Sequence, residues 1–153
     1  MVTWKSVEMI EHSADNTPNA TAHAALPNGA LVGLTYTNSS KVTKAPATGE
    51  ELYVVMNTQT GDKEYATSYT IAQGEPVNLF KLSAWEGKEL YVTEDNVTGT
   101  YANIAAGDTL TFDATTFKFK EDTPTAGDVC FKVLSKGGLN VNYLIVRIEI
   151  AAS

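Results

Sequence analysis

The sequence holds one cysteine, one arginine and two histidines in 153 residues. A lone Cys130 forms no intramolecular disulfide, and it cannot supply the paired thiolates of a structural zinc site. His12 and His23 stand eleven residues apart, without a partner at helical i+4 spacing, so a histidine-based metal site is not expected. With Arg147 as the only arginine and a formal charge of −7, the clustered cations that phosphate backbones demand are missing. Nucleic acid and anionic membranes are therefore not expected as partners. No apolar run approaches the roughly 18–20 residues that cross a bilayer as a helix. Met1 to Glu8 lacks the basic-then-apolar layout of a signal peptide, so folding in a reducing cytoplasm is expected, with export by another route or release by lysis left open.

Catalytic patterns are equally sparse. Nucleophilic catalysis needs a nucleophile, a base within reach and a group that orients the base. Both histidines fall in an irregular N-terminal region, and Cys130 sits between Val129 and Phe131, where a small buried thiol explains it. Glu50 and Glu51 are neighbours that would face opposite ways in a strand. Asp62, Asp95 and Asp108 stand beside Gly or Asn, where turn carboxylates usually satisfy nearby backbone amides. Gly137-Gly138 follows Lys136 but opens no helix, so it reads as a hairpin turn and not a phosphate loop. No enzyme and no cofactor is expected.

What the chain does have is strand signal. Hydrophobic residues make up 43% and charged residues 19%, a globular balance that rules out wholesale disorder. Twenty threonines favour pleated sheet over helix, because β-branching restricts rotamers in a helix. Ala30 to Tyr36, Glu51 to Met56, Val77 to Leu82, Glu89 to Thr93, Thr109 to Phe112 and Phe117 to Lys120 all read as strands, and Tyr65 to Ile71 alternates loosely. Val129, Phe131 and Val133 alternate with Lys132. In the last strand Leu144, Val146, Ile148 and Ile150 oppose Arg147 and Glu149, the alternation of a half-buried antiparallel strand. No long helical pattern separates the strands, which disfavours a parallel βαβ design. The expectation is an all-β chain: one antiparallel β-sandwich or small β-barrel of about eight or nine strands over residues 28–153, preceded by an extended N-terminal arm over residues 1–27.

Trp4, Val7 and Ile10 recur at helical spacing, so the arm either carries a short helix or docks Trp4 onto its own domain. The repeated Glu-Leu-Tyr-Val at 51–54 and 89–92 reads as two related halves or as convergence on one strand requirement. Tyr36, Tyr53, Tyr91 and Tyr143 lie in strands and Trp85 in an apparent loop, so flat-ring sugar platforms or plain packing both fit. The sequons at Asn19, Asn38 and Asn96 are read as chance.

Several features occur together: Asn28-Gly29-Ala30-Leu31-Val32 opening a strand after a polar arm, Gly74-Glu75-Pro76-Val77, Gly107-Asp108-Thr109-Leu110-Thr111, and an apolar closing strand. In this order they resemble the small head decoration proteins of tailed bacteriophages. The resemblance implies a structural virion protein that binds the outside of an assembled head, with the major capsid protein as partner, commonly as a homotrimer. It also implies an N-terminal arm that contacts the capsid or a neighbouring subunit, with Trp4, Val7, Ile10 and Leu26 as the matching positions. A binding module of a phage tail, fibre or adhesin, including a carbohydrate-binding form, is the alternative expectation.

Overall fold

The computed structural model describes residues 1–4, 16–37, 40–57, 70–138 and 140–153. Among these the regular structure is β throughout, apart from three short 3-10 turns. The strands are β1 (Val2–Trp4), β2 (Asn16–Thr21), β3 (Leu26–Pro27), β4 (Leu31–Thr37), β5 (Ser40–Lys44), β6 (Tyr53–Val55) and β7 (Thr70–Ile71). They continue as β8 (Pro76–Lys81), β9 (Glu89–Thr93), β10 (Val97–Thr98), β11 (Thr109–Phe112), β12 (Phe119–Glu121), β13 (Val129–Gly138) and β14 (Asn142–Ile150). No helix among the described residues is long and apolar enough to cross a membrane.

The all-β expectation holds, but the architecture is richer than one sandwich or one barrel of eight or nine strands. Fourteen short strands are described, in a closed five-stranded barrel ordered β2-β5-β4-β6-β8, a seven-stranded sheet ordered β1-β9-β14-β13-β11-β12-β10, and a two-stranded ladder of β3 and β7. The barrel closes because β2 pairs in parallel with β5 and antiparallel with β8. Closure removes the open edges that would otherwise invite association.

Two cores result. Ala20, Ala22, Leu26, Ala30, Val32, Tyr53, Val55, Ile71, Val77 and Leu79 fill the barrel. The larger core lies between the barrel and the inner face of the seven-stranded sheet, with Leu90, Val92, Phe119, Phe131, Leu144, Val146 and Ile148 from the sheet. Strand alternation explains how one wall serves both. Along 52–55 of the chain, Leu52 and Val54 point into the larger core, while Tyr53 and Val55 point into the barrel. Leu31 and Phe80 do the same against Val32 and Leu79. A strand buried on both faces reads as an unbroken apolar run, and the segment from Leu52 to Val55 is one.

Residues 2–4, 16–21 and 26–27, which fall in the stretch read as an extended arm, form strands that pair with the rest of the fold. Val2 is 4% exposed within the larger core, and β1 pairs with β9 at the register Val2 to Val92 and Trp4 to Leu90. Leu26 is fully enclosed in the barrel core and pairs with Ile71. Apolar burial favours this docking, since each large side chain removed from water contributes about 1.5–3 kcal/mol before entropy is counted.

The hairpin of β13 and β14 spans the sheet. Its register shifts between Val133 and Ser135, so Leu134 is a bulge residue and the strand bends there. Beyond the bulge, Gly137 faces Tyr143; a β-carbon on Gly137 would lie 2.8 Å from the tyrosine hydroxyl, so glycine makes room for the ring. The two Glu-Leu-Tyr-Val segments lie in different sheets, yet each turns its Leu and Val into the larger core.

Candidate interaction surfaces

Among the described residues, most of those singled out from the sequence have structural places. Trp4 lies in β1 opposite Leu90. Val7 and Ile10 lie outside the described residues, as does His12. Leu26, expected at a capsid or subunit contact, is inside the barrel, where a partner reaches it only if the barrel opens. Trp85 ends a 3-10 turn and packs partly buried against the larger core, so its ring is not displayed as a flat platform.

The candidate reacting groups stand on different elements. The His23 Nδ1 sits 2.7 Å from the Thr43 hydroxyl, and the His23 backbone N–H donates to the same oxygen at 3.0 Å. Its ring meets Phe117 edge-on, at 5.4 Å between centroids. Burial pushes the imidazole below its ordinary pKa. Cys130 is buried in β13 opposite Glu149, and burial pushes its thiol up, the reverse of what a nucleophile needs.

Carboxylates largely serve their own loops. Asp108 accepts from the Ala105 N–H, Asp113 from Thr115 and Thr116, and Asp122 from Thr123. Asp128 accepts from the Gly49 N–H at 3.0 Å, tying the loop before β6 to the loop before β13. Among the described residues no group of three or more His, Cys, Asp or Glu could hold a metal ion. A shallow cleft of about 110 Å³ lies beside Thr48, Phe112, Asp122, Pro124 and Asp128. Asn96 is 1% exposed, with its side chain bonded to the Asn28 carbonyl, so its sequon is sterically closed to a glycan.

Among the described residues, two surfaces present aromatic side chains for recognition. On the outer face of the seven-stranded sheet, Tyr91 and Tyr143 stack at 4.8 Å between centroids with an interplanar angle of 27°. Nearby, the Tyr101 hydroxyl lies within donating distance of the Tyr143 carbonyl at 2.8 Å and the Gly137 carbonyl at 3.0 Å, and the Lys136 ammonium lies 4.4 Å over the Tyr101 ring. Lys136 also donates to the Ile104 carbonyl at 2.8 Å, so its charge secures the 3-10 turn at 101–103. The tyrosine pair is half-buried and backed by Ile145, which shares its face of the sheet.

The second surface is formed by the paired strands β4 and β5. Val32, Leu34 and Tyr36 continue one alternation along β4: the first is in the barrel core, the second packs against it, and the third is 67% exposed past the barrel mouth. Tyr36 stands opposite Lys41, and the Ser40 hydroxyl donates to the Thr37 carbonyl to tighten the turn. At the same mouth, burial raises the Tyr53 pKa, with Tyr36 and Glu51 adding to it. Glu51 in turn accepts from the Ser83 hydroxyl and lies 3.7 Å from the Lys81 ammonium. Sequence reasoning placed Tyr36 in a strand but had no signal for its exposure, because alternation along β4 does not mark where the barrel ends.

No family model matches the chain, and no curated protein matches its sequence.

Proposed function

We propose that the chain is a structural virion protein that binds the outer surface of a bacteriophage capsid and stabilises it. The observation that carries this reading is the exposed Tyr36, paired with Lys41 across β4 and β5, on a double-cored β scaffold. A surface protein of this kind needs a stiff frame and complementary contacts, and no reacting group. Tyrosine supplies large contact area for little conformational entropy. The order of turn-led strands that resembles head decoration proteins supports the same reading, with the major capsid protein as partner. Assembly as a homotrimer fits it too, since three linked contacts raise the effective concentration of each.

Co-sedimentation with purified heads of the encoding phage tests the reading. The protein is expected to bind expanded heads at saturating, regular stoichiometry and to raise their melting temperature. Heads that neither bind it nor melt later in its presence would overturn the proposal.

The stacked Tyr91 and Tyr143 support a second reading, a binding module of a phage tail, fibre or adhesin that takes carbohydrate. That reading requires retention on a glycan array that Tyr143→Ala abolishes; an unchanged signal removes the pair from consideration.

A further inference from the structure

Asn28 is the only asparagine in the chain that is followed by glycine. Such a pair is chemically labile wherever the backbone is free to move. Asparagine is among the thermolabile residues, and a following glycine has no β-carbon to keep its backbone nitrogen away from the asparagine Cγ. In this fold each polar atom that the reaction must displace is held. The Asn28 side-chain oxygen accepts from the Asn57 N–H, and its amide donates to the Asn57 carbonyl. The Asn28 carbonyl accepts from the Asn96 amide at 3.3 Å. The Gly29 nitrogen, which would be the attacking atom, donates its proton to the Val55 carbonyl and is buried, with Val2 packed against the residue. A bond of 3.0 Å from the Ala30 N–H to the Pro27 carbonyl closes the turn around both residues.

We propose that Asn28 is a latent deamidation site, silent while the Pro27–Ala30 turn is closed and converted to aspartate or isoaspartate when the turn opens, after which the turn no longer closes in full. The chemistry needs only water and a base. The Gly29 nitrogen loses its proton to a solvent base and bonds to the Asn28 Cγ, and the side-chain nitrogen leaves as ammonia. The five-membered succinimide that results takes up one water. Water that breaks the bond from nitrogen to Cγ leaves aspartate. Water that breaks the bond from nitrogen to the main-chain carbonyl carbon leaves isoaspartate, with the chain rerouted through Cγ. No electrons are transferred.

Neither product fits the closed turn. Aspartate sets a carboxylate oxygen against the Asn57 carbonyl, two acceptors where a donor had met an acceptor. Isoaspartate lengthens the main chain by one methylene, at a turn whose glycine lacks room even for a β-carbon. Asn57 cannot follow the change freely, because its own side chain is fastened to the backbone of Pro76 and Asn78 in β8. Each conversion therefore leaves a chain that opens more readily than before. The device works the same whatever the outer surfaces bind, so it stands apart from the capsid reading.

The test incubates the purified protein at one temperature and one mildly alkaline pH, with and without denaturing urea. Peptide mass spectrometry follows the replacement of NH2 by OH at residue 28, and labelling by an isoaspartyl methyltransferase reports the rerouted product. In urea, Asn28 is expected to convert ahead of the other asparagines. In the folded chain the same conversion is expected to run at least about tenfold slower, because only the open fraction reacts. Ion exchange then separates converted from intact chains by the added negative charge, and the two are refolded side by side. The converted chains are expected to unfold at a lower urea midpoint, with the isoaspartate form lowest. A folded chain that converts within about tenfold of the unfolded rate, or an Asn28 that stays intact in urea, overturns the latent site. Converted chains that refold to the intact midpoint overturn the one-way step.

Discussion

Val2 lies against Gly29, so close that a β-carbon on Gly29 would come 2.7 Å from the Val2 Cγ2 and 3.0 Å from the Asn96 amide nitrogen. Gly29 also has φ +96, a region that side chains other than glycine seldom adopt. Its N–H donates to the Val55 carbonyl at 2.7 Å, so the turn is fixed to β6 and cannot swing away. This turn joins the edge strand of the sheet to the barrel.

Gly29→Ala is accordingly expected to cost about 2–4 kcal/mol, the sum of left-handed backbone strain and local overpacking. Urea denaturation followed by tryptophan fluorescence measures it. A loss under about 0.5 kcal/mol, the scale of an ordinary surface change, would show that β1 yields freely to the intruding methyl.

Asn28 beside it acts as a surrogate strand. Its side-chain amide donates to the Asn57 carbonyl at 2.9 Å, and its oxygen accepts from the Asn57 N–H at 2.8 Å. Asn57 passes the connection on, accepting from the Asn78 N–H at 2.7 Å and donating to the Pro76 carbonyl at 2.9 Å. Asn28→Ala leaves two backbone groups without these partners and is expected to cost about 1–3 kcal/mol. Asn28→Asp should recover only part of it, because a carboxylate cannot donate to the Asn57 carbonyl. Equal stability of the two variants would contradict the pairing.

His23 makes stability depend on pH. Burial lowers its pKa from 6.5, so the folded state prefers the neutral ring and the unfolded chain takes up the proton first. The contribution is complete above about pH 6.5 and declines as the pH falls toward the lowered folded value. Urea midpoints of the natural protein should drop between about pH 7 and 5, and His23→Gln should flatten that slope. A slope unchanged by the substitution would assign the effect elsewhere. Asp113, whose pKa is lowered chiefly by the Thr115 N–H, acts in the same direction at lower pH: its contribution is present above the ordinary 3.8 and is lost in stronger acid.

Cys130 should be chemically silent in the native state. With the residue 3% exposed and its thiol pKa raised by burial, it is expected to resist a disulfide reagent at about pH 8 and to react fully once urea unfolds the chain. Rapid native labelling would mean that β13 opens locally at the Glu149 pair.

Where one face of a strand is dry and the other wet, the sequence displayed it. Leu144, Val146 and Ile148 alternate with Arg147 and Glu149 because only the inner face of β14 meets the larger core. The strands that escaped notice are those whose burial is carried by small or polar groups. In β2, Asn-Thr-Pro-Asn-Ala-Thr carries the small Ala20 into the barrel core and pairs through its backbone with β5 and β8. In β5 the buried residue is Thr43, which is 1% exposed and satisfied by His23. A small barrel has room for little more than such side chains, so its walls lack the apolar rhythm that announces a strand. Nor does alternation reveal which core a face belongs to, and the double core went unread for that reason. Trp4, Val7, Ile10 and Leu26, the positions that the resemblance matches to a contact arm, are all apolar, and apolar character is also what draws a segment inward, as Leu26 shows.

The wall shared by the two cores carries a further consequence for how the molecule fails. Pulling barrel and sheet apart would bare Leu52, Val54 and Phe80 on one piece and Leu90, Phe131 and Val146 on the other. Neither piece would stay dissolved for long with that much oily surface in water. Heat should therefore melt the whole chain in one calorimetric step. A protease would find no stable half to leave behind.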